Sequence, residues 1–216
     1  MIAVQPFFLK EKVPTIKSVQ ICSALRLNLC RQPDIKTSQS SNYSATSISE
    51  KAVDGRTDQK FSSGSCIHTQ TTPALSEAWW RIDLGGPVVI EHVKIYYRND
   101  SVHGQSRRFG GFQIYLSNTT DWRNGDNCHT DTTSTWQSMD LAPSIQSCTG
   151  NTIYLTIYVD RRPNKPYTWY SDYAILELCE VEIYACVNGN YGSFCDTTCP
   201  DNCKDGVCDQ HTGECE

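Results

Sequence analysis

Apolar and polar residues alternate through three successive segments between Ala78 and Leu116. An alternation with a period of two places every second side chain on one face of an extended chain, which is typical of half-buried antiparallel strands. The apolar faces of the three segments consist of Trp80, Ile82 and Leu84, then Val93, Ile95 and Tyr97, and then Phe112, Ile114 and Leu116. The pattern therefore predicts three β-strands in the middle of the chain.

Two later segments extend the same pattern. In residues 151–160 the apolar face consists of Ile153, Leu155, Ile157 and Val159. In residues 174–185 the apolar residues change parity after Leu178, which predicts a β-bulge near that residue. No segment shows helical periodicity, and turns containing glycine or proline separate the short strands. This organisation favours an all-β sandwich or jelly roll.

Two polar loops interrupt the predicted strands. Residues 98–108, RNDSVHGQSRR, contain three arginines and an aspartate that packing does not require, so we expect the function to reside there. Residues 118–147 form a second polar loop, which is unusually long for a compact domain. A disulfide between Cys128 and Cys148 would explain its length.

The cysteine content indicates where the protein works. Twelve cysteines are too many for a reducing compartment unless they bind metal, and sequons at Asn42, Asn99 and Asn118 agree with an extracellular location. The apolar run at the N-terminus is too short for a signal-peptide core, and no segment approaches the ~20 apolar residues of a membrane span. We therefore expect a secreted protein or an ectodomain whose export signal or anchor lies outside this sequence.

The net charge and the N-terminal segment say less about function than the cysteines do. The formal net charge is -5 at pH 7. Because nucleic-acid binding needs a net basic face, we expect no nucleic-acid partner. Residues 1–28 show no clear period and are expected to form an extension, with a short closed loop if Cys22 pairs with Cys30.

Seven landmarks follow one another between residues 29 and 185: KTSQSS, KAVDG, SCIHT, WWRIDLG, a strand ending in RND, RRFGGFQIYL and LELCEVEIYA. In this combination the segment resembles the fucolectin family of F-type lectins, which is related to discoidin and coagulation-factor C domains. The resemblance implies an eight-stranded β jelly roll over residues 29–185, a disulfide between Cys66 and Cys179, a calcium ion and a shallow L-fucose pocket. Such a disulfide contributes about 2–4 kcal/mol by constraining the unfolded chain.

The family's sugar-binding motif maps onto four residues: His68, Arg98, Asp100 and Arg108. Guanidinium groups donate to sugar oxygens from a fixed plane, while the carboxylate holds an arginine in place. Seven residues separate Asp100 from Arg108 where the family has four, and the family's adjacent cysteines in that gap are replaced by SVHG, residues 101–104. The alternative is that Arg98 and Asp100 form a surface pair worth about 0–1 kcal/mol.

The resemblance also implies a set of calcium ligands. They are the carboxylates of Asp54 and Glu180 with oxygens of Lys51, Arg56, Ser65 and Cys179. Two carboxylates and several neutral oxygens suit this hard cation, whose role would be structural. The alternative is that Asp54 only forms an Asx turn before Gly55.

Residues 186–216 contain six closely spaced cysteines: Cys186, Cys195, Cys199, Cys203, Cys208 and Cys215. The segment resembles the EGF-like repeats of multiple-EGF receptors, which implies a small module that depends on three disulfides. A zinc knuckle is the alternative, but zinc sites favour CxxC pairs. The chain ends one residue after the last cysteine, so we expect a truncated module that is part of a larger or clustered receptor.

These observations predict an extracellular, calcium-dependent carbohydrate-binding module. Its expected ligands are glycans on cells or microbes, with fucosylated glycans as the first candidates, as in the fucose-type lectins. The alternative is a discoidin-like adhesion module that binds a protein or an anionic membrane. Its candidate contacts in residues 161–173 are Arg161, Arg162, Lys165, Tyr167, Trp169 and Tyr170. A competing interpretation makes this segment an aromatic cover for the mouth of the barrel. No catalytic motif appears, so we expect no enzymatic activity.

Overall fold

The computed structural model describes residues 26–101, 103–163, 165–186, 189–192, 197–206, 208–209 and 212–215. Regular structure in this part of the chain is predominantly β, so the expected all-β class is confirmed. The strands are β1 (Arg26–Asn28), β2 (Lys36–Gln39), β3 (Glu77–Tyr97), β4 (Gln113–Ser117), β5 (Asp126–Thr130), β6 (Ser144–Asp160), β7 (Leu178–Cys186), β8 (Asn190–Tyr191) and β9 (Thr197–Thr198).

Short helical elements connect several of these strands. The α-helix is α1 (His103–Phe109), and the remaining helical turns are of the 3-10 type. The 3-10 turns comprise Leu29–Arg31, Ser49–Val53, Phe61–Ser63, Trp122–Asn124, Trp136–Ser138 and Lys204–Gly206. Because each turn is short, they connect strands and add no separate helical layer.

Seven strands form one antiparallel sheet in the order β1-β7-β3-β6-β4-β5, with β2 also paired to β3. The first half of β3 lies between β2 and β6, whereas its second half lies between β7 and β6. The two longest strands therefore hold together elements from both ends of the domain.

The first two predicted strands are a single strand, β3, of 21 residues. Its pairing with β6 shifts register between Asp83 and Val88 and again between Ile90 and His92. Ile90 and Val93 are both buried although they differ in parity, because a register shift exchanges the two faces of a strand.

The predicted bulge near Leu178 is confirmed. In the β3–β7 pairing Tyr96 lies opposite Glu180 and Tyr97 lies opposite Leu178, so Cys179 is the extra residue. Cys179 forms a disulfide with Cys66, which is the pairing that the family resemblance implies. The bridge joins chain positions 113 residues apart.

The prediction that no helix occurs is wrong at α1, which lies inside the segment expected to be a loop. Gln105 and Phe109 are buried in this helix, four residues apart on one face. Phe109 stacks on Tyr97 with ring centroids 4.0 Å apart. Two buried positions are too few to produce a recognisable helical period.

The long polar loop is more ordered than expected. It contains β5, which pairs with β4, and the first residues of β6. Cys128 and Cys148 form a disulfide across it, as its length suggested.

The proposed pairing of Cys30 is wrong, because Cys30 has a free thiol. Cys30 lies in the Leu29–Arg31 turn with 2% of its surface exposed and packs into the main hydrophobic core. Burial raises the pKa of this thiol to about 12. Cys22, like most of the expected N-terminal extension, lies outside the described residues.

The tail is organised by disulfides, as far as the structure describes it. Cys199 pairs with Cys208, and Cys203 pairs with Cys215. Cys186 is also disulfide-bonded, while Cys195 lies outside the described residues. These sulfurs are therefore not available as zinc thiolates, and the EGF-like identity of the module stays a prediction. Within the described residues, no helix has the length and apolar character of a membrane span.

Two isoleucines of strand β6 allow a direct test of where the hydrophobic core lies. Ile157 and Ile145 both belong to β6, but Ile157 is fully buried and Ile145 is 64% exposed. We expect Ile157→Ala to lower the free energy of unfolding by about 2–5 kcal/mol, because it removes buried methyl groups and leaves a cavity.

Ile145→Ala is the matched control and should change that free energy by less than about 0.5 kcal/mol. Urea denaturation of both variants measures the difference. Equal effects at the two positions would contradict the placement of the core.

Candidate functional site

A pocket of ≈ 700 Å³ opens beside the end of β3 and the start of α1. Three of the four predicted sugar-binding residues line it: His68, Arg98 and Arg108. The remaining wall includes aromatic side chains. The structure thus brings together His68 and Arg108, which lie 40 positions apart in the sequence.

Glu177 lies behind the pocket lining: its side chain is fully buried and contacts three of the lining residues. Its Oε1 lies 2.9 Å from His68 Nε2 and accepts a hydrogen bond from Arg98 Nη1 at 2.6 Å. Arg108 Nη1 donates to both carboxylate oxygens at 3.1 Å. Sequence reasoning missed Glu177, although a group of cationic residues around one buried site requires a counter-charge.

The cations determine the ionisation of this carboxylate. Burial alone would raise the pKa of Glu177, but the hydrogen bond from His68 and the charges of His68, Arg108 and Arg98 outweigh burial and lower the pKa to about 2. Glu177 is therefore ionised throughout the physiological range. Burial, followed by the neighbouring Glu177 charge, raises the pKa of Tyr97, whose hydroxyl donates to Glu177 Oε2 at 3.4 Å.

Arg98 is held from three sides. Its Nη1 donates to Glu177, and its Nε donates to Asp100 Oδ2 at 2.5 Å. The guanidinium carbon lies 4.4 Å from the ring centroid of Phe61. Burial would lower the pKa of Arg98, but the two carboxylates raise it. Asp100 therefore does what the family motif implies and fixes an arginine at the pocket.

His68 is placed differently from the expectation. Its Nδ1 donates to the carbonyl of Thr69 at 2.6 Å, and its Nε2 faces Glu177. The ring is 4% exposed and lies 4.5 Å, centroid to centroid, from the ring of Tyr43. With both nitrogens facing protein oxygens, His68 supports Glu177 and Tyr43 and has no nitrogen directed at a sugar hydroxyl.

The helix α1 explains how Arg108 reaches the pocket despite the long gap after Asp100. A helix rises only about 1.5 Å per residue, so coiling this segment shortens the distance that the extra residues span. Arg108 returns to Glu177, while its neighbour Arg107 is exposed. The helix thus begins where the family has adjacent cysteines.

An apolar rim completes the pocket. Tyr43 and Tyr173 line it with 52% and 55% of their surfaces exposed, and Phe61 and Ile175 lie deeper. Exposed aromatic faces suit the C–H face of a sugar ring.

Two of the three sequons, at Asn42 and Asn99, are adjacent in the chain to the pocket-lining residues Tyr43 and Arg98. Asn99 stands between Arg98 and Asp100 in the chain, and its Oδ1 accepts a hydrogen bond from the backbone of Ser101 at 3.2 Å. Asn42 and Asn118 are exposed. Glycosylation at these positions stays a prediction.

The basic and aromatic residues proposed to contact a membrane are largely engaged within the domain. Arg161 is 6% exposed, and its Nη2 donates to the carbonyls of Arg108 and Gly110 at 2.9 and 2.7 Å. Its guanidinium carbon lies 4.8 Å from the ring centroid of Tyr170, which is also buried. These two residues therefore hold the end of α1 in place, so their assignment to a lipid-binding surface is wrong.

The outer members of that segment also have protein partners. Arg162 pairs with Asp160 at 2.6 Å, and Lys165 pairs with Asp172 at 3.1 Å. The Tyr167 hydroxyl donates to the Thr132 carbonyl at 3.4 Å. Trp169 is partly buried against the main core. The segment fits the competing interpretation, an aromatic cover over the fold.

The side-chain oxygens of three predicted calcium ligands, Asp54, Ser65 and Glu180, form hydrogen bonds within the protein. Asp54 is exposed and its Oδ1 accepts from the Arg56 backbone at 2.9 Å, which is the Asx turn considered as the alternative. Ser65 Oγ donates to the Asp58 carbonyl. Among the described residues, no group of three or more His, Cys, Asp or Glu side chains could hold a metal ion.

Glu180 is fully buried, and both of its oxygens already accept hydrogen bonds, from Arg31 Nη2 at 2.6 Å and from the Gly55 backbone at 3.0 Å. Burial raises the pKa of Glu180 to about 7, against the lowering effects of Gly55 and Arg31. With N–H donors on both of its oxygens, the Glu180 carboxylate does not fit the predicted role of a calcium ligand in this arrangement.

The ionisation of Glu177 makes the stability of the domain depend on pH. The folded-state pKa of about 2 lies below the ordinary value of 4.5, so Glu177 stabilises the fold above pH 4.5 and loses this contribution as the pH falls toward 2. The full contribution is on the order of 3 kcal/mol.

Glu177→Gln removes this titration while keeping the shape of the side chain. Urea denaturation at several pH values should show the wild type losing about 3 kcal/mol more than the variant between pH 5 and pH 2. Parallel pH profiles for the two proteins would contradict the ionised state of Glu177.

Comparisons with known proteins agree with this architecture. Residues 51–149 match the NedA-like, galactose-binding domain family. Fucolectin-1 from Anguilla japonica is 32% identical over 139 residues, which cover 62% of this chain and 66% of that protein. Fucolectin-6 from Anguilla japonica is 30% identical over 148 residues, which cover 68% of this chain and 69% of that protein. The chain thus spans about two thirds of the length of these relatives.

Solved structures show the same fold. The fucolectin from Morone saxatilis serum aligns with a TM-score of 0.59 and 24% identity, over 74% of this chain and 48% of that one. A fucose-binding module of Streptococcus pneumoniae aligns with a TM-score of 0.55 and 24% identity, over 74% of this chain and 99% of that one. These similarities confirm the expected β jelly roll, and together with the fucolectin sequences they show that this chain belongs to the fucolectin family.

Proposed function

We propose that the pocket above Glu177 binds carbohydrate, and that its ligand is a fucose-type sugar on an extracellular glycan. The observation that carries this proposal is the pair of arginines, Arg98 and Arg108, which line an open pocket and are both fixed by the buried carboxylate of Glu177. A sugar offers a ring oxygen and several hydroxyls at fixed angles. Guanidinium groups held in a rigid arrangement read such a pattern well.

Donor capacity remains after the internal contacts are made. In the part of the chain that the structure describes, the protein acceptor of the Arg108 side chain is Glu177, which takes Nη1. Nε and Nη2 of this residue can donate to a ligand, and the side chain is 30% exposed. A hydrogen bond to a charged group contributes about 1.5–3 kcal/mol, so Arg108 is the residue that binding should depend on most.

The apolar rim favours a deoxy sugar. A fucose carries a methyl group where most hexoses carry a hydroxymethyl group, and Phe61, Ile175 and Tyr43 offer apolar surface in the same pocket as the arginines. The pocket volume of ≈ 700 Å³ lies in the ordinary range for small-ligand sites. Relatives named as fucolectins and fucose-binding modules support the same ligand class.

The biological setting follows from the same evidence. The disulfides and the fucolectin relationship support an extracellular protein that recognises glycans on cells or microbes. One shallow sugar site binds weakly, at about the mM scale, so function requires several copies or a larger receptor. The relatives are lectins and binding modules, which supports binding without catalysis.

A glycan array probed with the full chain tests this proposal. We expect binding to fucosylated glycans and none to the matched glycans without fucose. Arg108→Ala should weaken binding by about 10-fold or more, because it removes charge-assisted hydrogen bonds to the ligand.

Arg107→Ala is the control, since Arg107 is exposed on the same helix and lies outside the pocket lining. It should bind as the wild type does. A wild-type protein that is blank for fucosylated glycans at mM sugar, or two variants that bind equally, would rule the site out. Circular dichroism of both variants verifies that they are folded.

A further inference from the structure

The second buried carboxylate, Glu180, has a cationic partner, Arg31, which lies outside the motifs that carry the family resemblance. Arg31 lies at the end of the 3-10 turn that follows β1, and β1 pairs with β7, the strand of Glu180. This pairing directs the Arg31 side chain across β7 toward Glu180, 149 residues later in the chain. The contact therefore depends on the assembled sheet.

The guanidinium of Arg31 bridges two parts of the domain. Nη2 donates to Glu180 Oε1 at 2.6 Å, and Nη1 donates to the carbonyl of Val53 at 2.7 Å. Val53 ends the Ser49–Val53 turn, which leads into Asp54 and Gly55. One side chain thus ties this turn to β7.

Gly55 makes room for the guanidinium. Its φ is +91°, and a Cβ built on it would lie only 3.1 Å from both terminal nitrogens of Arg31. Its backbone N–H donates to Glu180 Oε2 at 3.0 Å. The turn therefore approaches the carboxylate and the guanidinium more closely than any residue with a side chain would allow without adjustment.

The predicted calcium ligands would join the same two parts of the chain, because they come from the turn around Asp54 and from Glu180 in β7. Calcium requires six to eight oxygen ligands, whereas a guanidinium needs only the two acceptors it has here. Both oxygens of Glu180 are occupied by N–H donors. The guanidinium of Arg31 places a permanent positive charge beside this carboxylate, and this charge favours the ionised form of Glu180 against the effect of burial.

We propose that the Arg31 guanidinium takes the structural role of the family's calcium ion, so that this domain folds and keeps its stability without calcium. The inference concerns the scaffold and stands apart from the proposed sugar ligand. Its consequence is that Arg31, which no family motif marks, joins the start of the domain to its last strand.

Thermal unfolding of the full chain in calcium and in chelator tests the proposal. The wild-type melting temperature should agree within about 2 °C between the two conditions, because an ion that binds only the native state raises it by more than this once in excess. A rise of more than about 2 °C in calcium would overturn the proposal.

Substitutions test the role of Arg31 itself. Arg31→Ala should lower the melting temperature by about 3–8 °C, since Glu180 then lies buried without its cation. Arg56→Ala is the matched control, because Arg56 is exposed near the same turn and donates to the Ser63 carbonyl. Equal effects of the two substitutions would overturn the proposal.

Arg31→Lys covers the case in which the alanine variant does not fold. A lysine keeps the charge but lacks the planar fork, so an intermediate melting temperature is expected. A lysine variant as stable as the wild type would contradict the bridging geometry. Neither readout involves sugar, so a failure of the proposed ligand leaves this test unaffected.

Discussion

The buried carboxylate of Glu177 is the constraint on which the candidate site depends. A fully buried charge is costly unless cations and hydrogen bonds compensate it, and here His68, Arg98 and Arg108 do so. Each of these three residues comes from a different part of the chain: the segment after the 61–63 turn, the end of β3 and helix α1. Because these residues all contact the Glu177 carboxylate, its compensation brings together the three segments that line the pocket.

The same principle operates on the other side of Cys179. Glu177 and Glu180 flank that cysteine in the chain, and both are fully buried. Glu177 collects the cations of the pocket, whereas Glu180 collects Arg31 and the Gly55 backbone. Between them the β-bulge and the Cys66–Cys179 disulfide hold the strand in place. A short stretch of chain thus organises both the site and the scaffold beneath it.

The sequence predicted the parts of the structure that depend on local pattern. Alternation located the strands, and the parity change near Leu178 located the bulge. Helix α1 escaped prediction because it has only seven residues. The helix depends on contacts with residues outside its own segment, such as Phe109 against Tyr97. A short segment cannot show such a contact in its own periodicity.

The missed site residues have the same physical cause. Glu177 stands between two leucines, where an acidic residue looks like the solvent face of an alternating strand. Its partner Arg98 lies 79 residues away, and Arg31 lies 149 residues from Glu180. The motif located Arg98, Asp100 and Arg108 because their relation is local. The motif also placed His68 at the pocket, but it did not show that the two nitrogens of this residue face Thr69 and Glu177, because hydrogen-bond partners are not encoded in spacing.

Carbon-13 NMR of the Glu177 side-chain carboxyl measures its ionised, buried state directly, and the Glu177→Gln variant identifies the signal. The ordinary carboxyl pKa is 4.5, and the cations around Glu177 lower it to about 2. We expect this signal to keep its ionised position while the folded protein is brought from neutral pH through pH 4. A titration midpoint near the ordinary value would contradict it.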